Sequence, residues 1–287
     1  MNFLRKFKAY FYVFPYLICY ALFFIIPAIF CFYMSFTNWS ILGDYKFVGI
    51  DNYQKIIKDS LMLTALKNTF FYTISIVIIM FIVGLCLALL INVKLKGKTI
   101  ARTIIFSSYV VMVSAVGILW RWIFEPNYGL LNSFLYKIGL NPVNWLTDPK
   151  IAMISIIITT VWWTAGFNMV IFLAGLQEIP EELHEAAIID GANTWQNFFY
   201  VTLPNLLPVS FFIIIISTAK SFQMFGQVFV MTQGGPSNST LTIVQYLYTI
   251  GFRWYEMGYA SSIAYVIFAI LLVITIAQFK FYIKNEA

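Results

Sequence analysis

The stretch "EELHEAAIIDGANTWQNFFYVTLP", residues 181–204, holds Glu181, Glu182, Glu185 and Asp190 and no Lys or Arg, in a chain whose formal net charge is +6. It lies between two long apolar runs. Pro180 suits a first helical position, so Glu181 and Glu182 fall in the first turn, where the helix dipole favours them. Glu185 is beyond that help and follows Glu181 by one turn, a like-charge pair that costs roughly 0.2–0.5 kcal/mol in an isolated helix. Gly191 offers a stop and Thr194 a cap for a second helix. Trp195, Phe198, Phe199 and Leu203 then share an apolar face before Pro204 and Pro208 interrupt it. The expected unit is a helix-turn-helix at a membrane surface. Two readings fit its acidity: a solvated interfacial helix kept out of the lipid by its charges, or a docking element for a basic partner.

The rest of the chain supplies the membrane. With 61% hydrophobic residues, 10% charged residues and a mean hydropathy of +0.83, there is too little polar surface to clothe a soluble globule. Apolar runs long enough to cross a hydrocarbon core of about 30 Å occur near 12–36, 69–92, 103–124, 151–176, 207–231 and 260–281. The predicted fold is therefore all-α and integral to the membrane, with about six transmembrane helices in one domain over 1–287 and the helix-turn-helix in the loop 177–206. The first run follows "RKFK" but exceeds a signal-peptide core and lacks an A-x-A-like exit, so it reads as an anchor. Pro15 and Pro27 are expected to bend it.

Positive charge next to the spans orients the bundle. Arg5, Lys6 and Lys8 precede the first span, and Lys94, Lys96, Lys98 and Arg102 separate the second from the third; both sets belong in the cytoplasm. Lys280 and Lys284 agree, and an even number of spans puts both termini on that side. The opposing loop 37–68 has Lys46, Lys55, Lys58 and Lys67 diluted by Asp44, Asp51 and Asp59. On this topology residues 181–204 are cytoplasmic. Cys19, Cys31 and Cys86 all lie in spans; the first two are about 18 Å apart along one helix and cannot pair.

Here the spacing becomes specific. Glu185, Ala186, Ala187, then Gly191, then Val201, Leu203 and Pro204 resemble the E-A-A-x3-G-x9-I-x-L-P signature of ATP-binding-cassette importer permeases, with Val in place of Ile. "PAIFCFYMSFTNWS" (27–40), "FVGIDNY" (47–53), "AVGILWRWIFEPNYGLLN" (115–132) and "MTQGGP" (231–236) look like the first permease subunit of the carbohydrate importers of the maltose and glycerol-3-phosphate type. One departure is Gly226, which stands where that branch commonly carries Asp. The resemblance implies the type I importer permease fold and a bacterial or archaeal cell-membrane location. It also implies a second homologous permease, two ABC ATPase subunits and an extracytoplasmic sugar-binding protein as partners, beside membrane lipid and without nucleic acid. Residues 181–204 would be the coupling element set in a cleft of one ATPase.

The chain itself is not expected to hold a cofactor or metal, or to be an enzyme; ATP and Mg belong to the partner ATPases. "KGKT" at 96–99 ends like a P-loop, but the first glycine of that motif would fall at Asn92. His184 lacks a metal-ligand neighbour at a suitable spacing and reads as a polar surface residue. Glu125, Asp148 and Glu256 fall in or near outer loops, where single carboxylates are usually solvated.

Lys220 is placed near the middle of the fifth span, where a lipid-facing charge would cost about 2.5–3.5 kcal/mol, so it must face inward. Ser217, Lys220, Met224 and Gln227 recur at helical spacing as one stripe. On the fourth span Trp163, Thr164, Phe167 and Asn168 offer flat apolar faces and hydrogen-bond donors, the mixture that sugars require. These eight residues are the candidate solute path. The plainer readings are that the aromatics are packing or belt residues, and that Lys220 pairs with helix carbonyls or with an acid of a partner subunit. Lys220 also leaves open an anionic solute, a uronate or a phosphate ester, beside a neutral oligosaccharide. A stand-alone secondary transporter or channel is the alternative class, but the internal repeats, paired intramembrane carboxylates or broken helices at matched positions expected of one are not visible in the sequence. An intramembrane enzyme would need a catalytic constellation, and none shows.

Overall fold

The computed structural model describes residues 12–40, 43, 46–93 and 97–286. Arg5, Lys6, Lys8, Asp44, Lys94 and Lys96, which enter the predicted orientation, lie outside the described residues. In chain order the helices are α1 Tyr12–Met34, α2 Asp51–Lys58, α3 Ser60–Asn92, α4 Lys98–Val110, α5 Val113–Ile123, α6 Leu130–Lys137 and α7 Ala152–Glu178. They continue with α8 Glu181–Ile189, α9 Thr194–Asn197, α10 Leu207–Phe222, α11 Gly226–Met231, α12 Ile243–Tyr248 and α13 Met257–Glu286. No strand occurs among the described residues, only an isolated bridge between Thr37 and Phe47.

Five helical segments are long and apolar enough to cross a membrane: α1, α3, α7, the α10–α11 run and α13. The sixth expected span is not one straight helix. Val111 and Met112 adopt extended backbone (ψ 135° and 137°), and α4 and α5 meet at 98°. The carbonyl of Val111, freed by this break, accepts a hydrogen bond from Trp163 Nε1 at 3.0 Å, so a side chain 52 residues away in sequence supplies what the helix cannot. In α1 a π-helical turn, Ala21–Ile25, lies just before Pro27. The wider turn accommodates the ring and the missing N–H of Pro27.

The chain divides into two compact units. One comprises the residues up to Ser60 with Tyr246–Ile270. Two of the sequence stretches singled out above meet within it: Asn52 of "FVGIDNY", buried, donates through Nδ2 to the carbonyls of Ser35 and Thr37 at 2.9 and 2.8 Å, and the Tyr53 hydroxyl pairs with Ser35 Oγ at 2.7 Å. Gly49, at φ 60°, makes the turn before them. Lys55 bridges Glu256 at 2.7 Å and lies over the Tyr259 ring, so Glu256 is an ion-pair partner and not a merely solvated carboxylate. Asp59 accepts hydrogen bonds from the hydroxyls of Tyr246 and Tyr259. Burial, and then the Asp59 and Glu256 carboxylates, hold the Tyr246 hydroxyl above the ordinary phenol range.

The other unit, Leu61–Gln245 with Leu271–Ala287, holds α4 packed along α7, α3 against α7, and α10 against α7. Small residues permit the approach: a Cβ on Gly166 would lie 2.4 Å from the Ile105 carbonyl oxygen, one on Gly175 2.6 Å from Val209 Cγ2, and one on Gly84 2.9 Å from Asn168 Cβ. This is the packing that lipid, which drives no hydrophobic association between helices, selects. In "AVGILWRWIFEPNYGLLN" the buried Asn132 uses its whole amide, donating to the carbonyls of Pro126 and Val143 and accepting from Val143 N and Trp145 Nε1. Glu125 caps its own turn, accepting from Asn127 N and Tyr128 N at 2.7 Å each, and Asp148 accepts from Lys150 N at 2.8 Å.

Candidate functional site

The eight residues proposed for a solute path come together. Trp163, Thr164, Phe167 and Asn168 on α7, and Ser217, Lys220, Met224 and Gln227 from α10, the break after it and α11, all line one cavity of about 420 Å³ within the second unit. Tyr72 and Met80 of α3 and Tyr109 of α4 complete much of its wall. The wall is mainly apolar and aromatic, with a few polar groups set into it, the usual make-up of a small-molecule site.

Two details differ from the expected stripe. Lys220 keeps its place near the middle of the Leu207–Met231 span, but it falls in the last turn of α10, because the helix ends at Phe222 and restarts at Gly226. The break comes where Ser217, Lys220, Ser221 and Gln223 thin out the apolar face. It leaves Met224 and Gln227 on the same cavity although they no longer share a helix with Lys220. Second, two of the α7 donors are already engaged: Trp163 Nε1 by Val111, and the Thr164 hydroxyl by the Thr160 carbonyl at 2.7 Å.

Four of the other polar side chains are unengaged among the described residues. Asn168, Ser217, Ser221 and Gln227 are buried residues that line the cavity, and none of their side chains forms a hydrogen bond among the described residues. None of their polar atoms is both fully buried and unpartnered, so they are free to bond a hydroxyl-rich occupant, each such bond worth roughly 0.5–1.5 kcal/mol. Lys220 donates to the Tyr109 hydroxyl at 3.0 Å, and its ammonium lies 4.3 Å from the centroid of the Phe167 ring. Tyr109 stacks on Phe167 with centroids 4.9 Å apart. Tyr109 escaped the sequence reading: in "FSSYVVM" (106–112) no polar periodicity marks it. Gly226 faces the same cavity; a Cβ there would lie 2.8 Å from Val113 Cγ2, so the first residue of α5 fills the space that a side chain would need.

The segment after α7 folds as a helix-turn-helix. Pro180 occupies the N-cap position, one residue before the place expected, and α8 begins at Glu181. Gly191 stops α8 in left-handed backbone (φ 82°), with Gly191 N bonded to the Ile188 carbonyl and Ala192 N to the Ala187 carbonyl, the two bonds of a Schellman ending. The second helix is capped by Asn193 and not by Thr194. Asn193 Oδ1 accepts from Gln196 N at 2.9 Å while Gln196 Oε1 accepts from Asn193 N at 2.8 Å, a reciprocal capping box. His184 Nδ1 pairs with Asn197 Oδ1 at 2.7 Å and clasps the two helices together, a tertiary use beyond the surface role expected of it.

The predicted apolar face splits in two. A π-helical turn, Phe198–Thr202, inserts after α9 and shifts the register. Phe198 and Leu203 pack on the core around Leu206 and Phe172, whereas Trp195 and Phe199 stack on each other in the open, Trp195 73% exposed. Pro204 does not interrupt the chain; it lies in the first turn of a short helix, Leu203–Asn205, that leads through Leu206 into α10, whose own first turn holds Pro208. Glu185, Ala186, Gly191 and Pro204 are exposed, and Ala187 and Leu203 half-buried. The Glu185 side chain forms no hydrogen bond or ion pair among the described residues. The surface around it adds exposed Leu183, Ile188 and Ile189. The segment thus joins α7 to α10, and both of these helices line the cavity at a distance from it.

Comparison with known proteins gives this arrangement relatives. The chain is 37% identical to the arabinooligosaccharides transport system permease protein AraP of Bacillus subtilis (strain 168), over 96% of its length and 88% of the relative's. It is 38% identical to the lactose transport system permease protein LacF of Rhizobium radiobacter, over 84% of this chain and 82% of that one. The crystal structure of a bacterial alginate ABC transporter, in complex with an alginate pentasaccharide-bound periplasmic protein, contains a chain that superposes with a TM-score of 0.86 at 25% identity, covering 96% of this chain and 94% of that one. Residues 69–284 match the family described as binding-protein-dependent transport system inner membrane component. With a match over that much of the sequence, and with the helical bundle that such a component requires, the chain belongs to the family of binding-protein-dependent transport system inner membrane components.

Proposed function

We propose that this chain is one of two homologous permease subunits of an ATP-driven importer, and that its cavity passes a sugar or oligosaccharide delivered by an extracytoplasmic binding protein. The observation that carries this reading is the cavity itself, in which unengaged amides and hydroxyls stand beside aromatic faces, on the same two helices that enclose the exposed acidic segment. The names of AraP and LacF, and the alginate transporter, support a carbohydrate as the solute.

In this reading Glu181–Pro204 docks in a cleft of a partner ATPase, which holds the ATP and Mg. The push of ATPase closure enters at α8 and α9. It passes through the π-helical turn and Leu206, buried against α7, into α10, and so arrives at Lys220 and the cavity wall. A packed seam such as Leu206 and Val209 against Gly175 transmits displacement because close-packed interiors do not compress. The solute is held while the outer side is closed and released inward when the helices swing.

Two experiments test the reading. The chain solubilised from its native membrane should co-purify with an ATPase, and proteoliposomes that contain this chain alone should accumulate no sugar against a gradient. Uphill uptake by the lone chain, driven by an ion gradient, would place it among secondary transporters. For orientation, Asn193→Cys, on the exposed turn of the coupling segment, should react with an impermeant thiol reagent only after the inner face is opened. Labelling of intact cells from outside would reverse the topology.

A further inference from the structure

We propose that the cavity selects an anionic sugar, whose carboxylate or phosphate is held by Lys220 and Tyr109; this rests on the importer reading above. Lys220 is the one charged group among the cavity's described lining residues. Its ammonium has three donors, of which one goes to Tyr109; no other acceptor and no carboxylate meets it among the described residues. The Tyr109 hydroxyl, accepting from Lys220, keeps its own proton for a further acceptor. The aromatic faces of Phe167 and Tyr109, 4.3 and 5.4 Å from the ammonium, steady the cation without neutralising it. Gly226, on the same wall, contributes no carboxylate.

The result is a cluster of N–H and O–H donors with positive charge at Lys220 and Tyr109, and neutral hydrogen-bonding groups, Asn168, Ser217 and Gln227, elsewhere on the lining. An uncharged sugar satisfies the neutral groups and gives the ammonium of Lys220, an exposed residue, no opposite charge to meet. A uronate or a sugar phosphate satisfies both, through charge-assisted bonds that are roughly twice as strong as neutral ones. Helix carbonyls, the other partners considered for Lys220, do not bond it among the described residues.

The test uses the whole complex, with its partner permease, ATPases and binding protein, in proteoliposomes. The outside is supplied with a mixture of pectin- and alginate-derived uronate oligosaccharides, sugar phosphates, and neutral arabino- and malto-oligosaccharides. The lumen is analysed by mass spectrometry after ATP is added. The wild-type complex should accumulate acidic species, and the uronate and phosphate arms identify which anion. Lys220→Met should lower acidic uptake by about tenfold, equivalent to about 1.4 kcal/mol, with the complex eluting intact; Lys220→Arg should retain most of it. Accumulation of neutral sugars alone overturns the charge selection and leaves the importer reading standing, whereas accumulation of no sugar at all overturns both. Unchanged acidic uptake by Lys220→Met removes Lys220 from selection. Dissociation of the Lys220→Met complex, with Lys220→Arg intact, identifies an ion pair with the partner permease instead and likewise overturns the proposal.

Discussion

Replacement of Gly166 by Leu is expected to abolish transport and to lower the unfolding midpoint of the detergent-solubilised complex by several degrees. A Cβ at this position would stand 2.4 Å from the Ile105 carbonyl oxygen and 2.7 Å from Phe106 Cα. Both are backbone atoms of α4, which cannot turn aside as a flexible side chain does, so the two helices must part. Overpacking of a close seam costs typically about 1–3 kcal/mol, and more where backbone must shift. The functional loss should exceed what stability alone accounts for, because the same seam orders one wall of the cavity. Ser108 Oγ lies 3.2 Å from the Trp162 carbonyl and Trp163 Nε1 3.0 Å from that of Val111, and separation breaks both. Tyr109 is thereby carried away from Phe167 and Lys220. Gly166→Ala should show the same effect at smaller size. Gly43, with nothing among the described residues within 4 Å of its would-be Cβ, provides the control: Gly43→Ala should leave both measurements unchanged. A Gly166→Leu complex that unfolds and transports like the wild type would show that the α4–α7 seam is not as close as described.

That seam also marks the boundary of what the sequence discloses. The spans are legible because a membrane demands uninterrupted apolar length, and the bounds expected from hydropathy fall within a few residues of α1, α7 and the α10–α11 run. The end of α8 is legible because Gly191 has a single local job, which it performs with local hydrogen bonds. Lys220 stands out because charge is rare in so apolar a chain, and the residues at helical spacing from it do share its cavity. By contrast, the 98° break between α4 and α5 falls at Val111–Met112, with neither Pro nor Gly to announce it. Its stabilising partner is Trp163, on another helix, so the cause is tertiary and leaves no local trace. The same holds for Tyr109, ordinary in its own segment and important only because Lys220 and Phe167 meet it. The π-helical turn at Phe198–Thr202 has no marker in "FFYVT" either, which is why an apolar face drawn at regular helical spacing assigns Trp195 and Phe198 to one side when they lie on two.

Reversal of charge at Glu185 is expected to uncouple the complex. Glu185 is exposed on α8 and its side chain has no hydrogen-bonding or ionic partner among the described residues. It is too far into the helix for the dipole to favour it and has Glu181 one turn away, so nothing within its own helix accounts for a negative charge there. A basic group on the proposed ATPase partner would account for it, with Ile188 and Ile189, the latter 85% exposed, as apolar ground beside the charge. Disruption of a closely paired interfacial charge costs about 2–5 kcal/mol, and Glu185→Lys adds repulsion to the loss. ATPase retention should therefore fall by about thirtyfold or more, and ATP-driven uptake with it. Insertion should be unaffected, because α8 lies outside the spans, and the His184–Asn197 clasp and the Asn193 capping box hold the segment's fold without Glu185. The measurement is ATPase recovered with the affinity-tagged permease, beside permease recovered from membranes. Full retention of the ATPase with normal uptake would return this segment to the role of a solvated interfacial helix. Reduced permease in the membrane would mean that Glu185 supports folding instead. A charge-reversed partner offers the decisive complement: if the cation is a single Lys or Arg of the ATPase cleft, its exchange for Glu should restore to Glu185→Lys much of what the single variants each lose, as only a direct pair can.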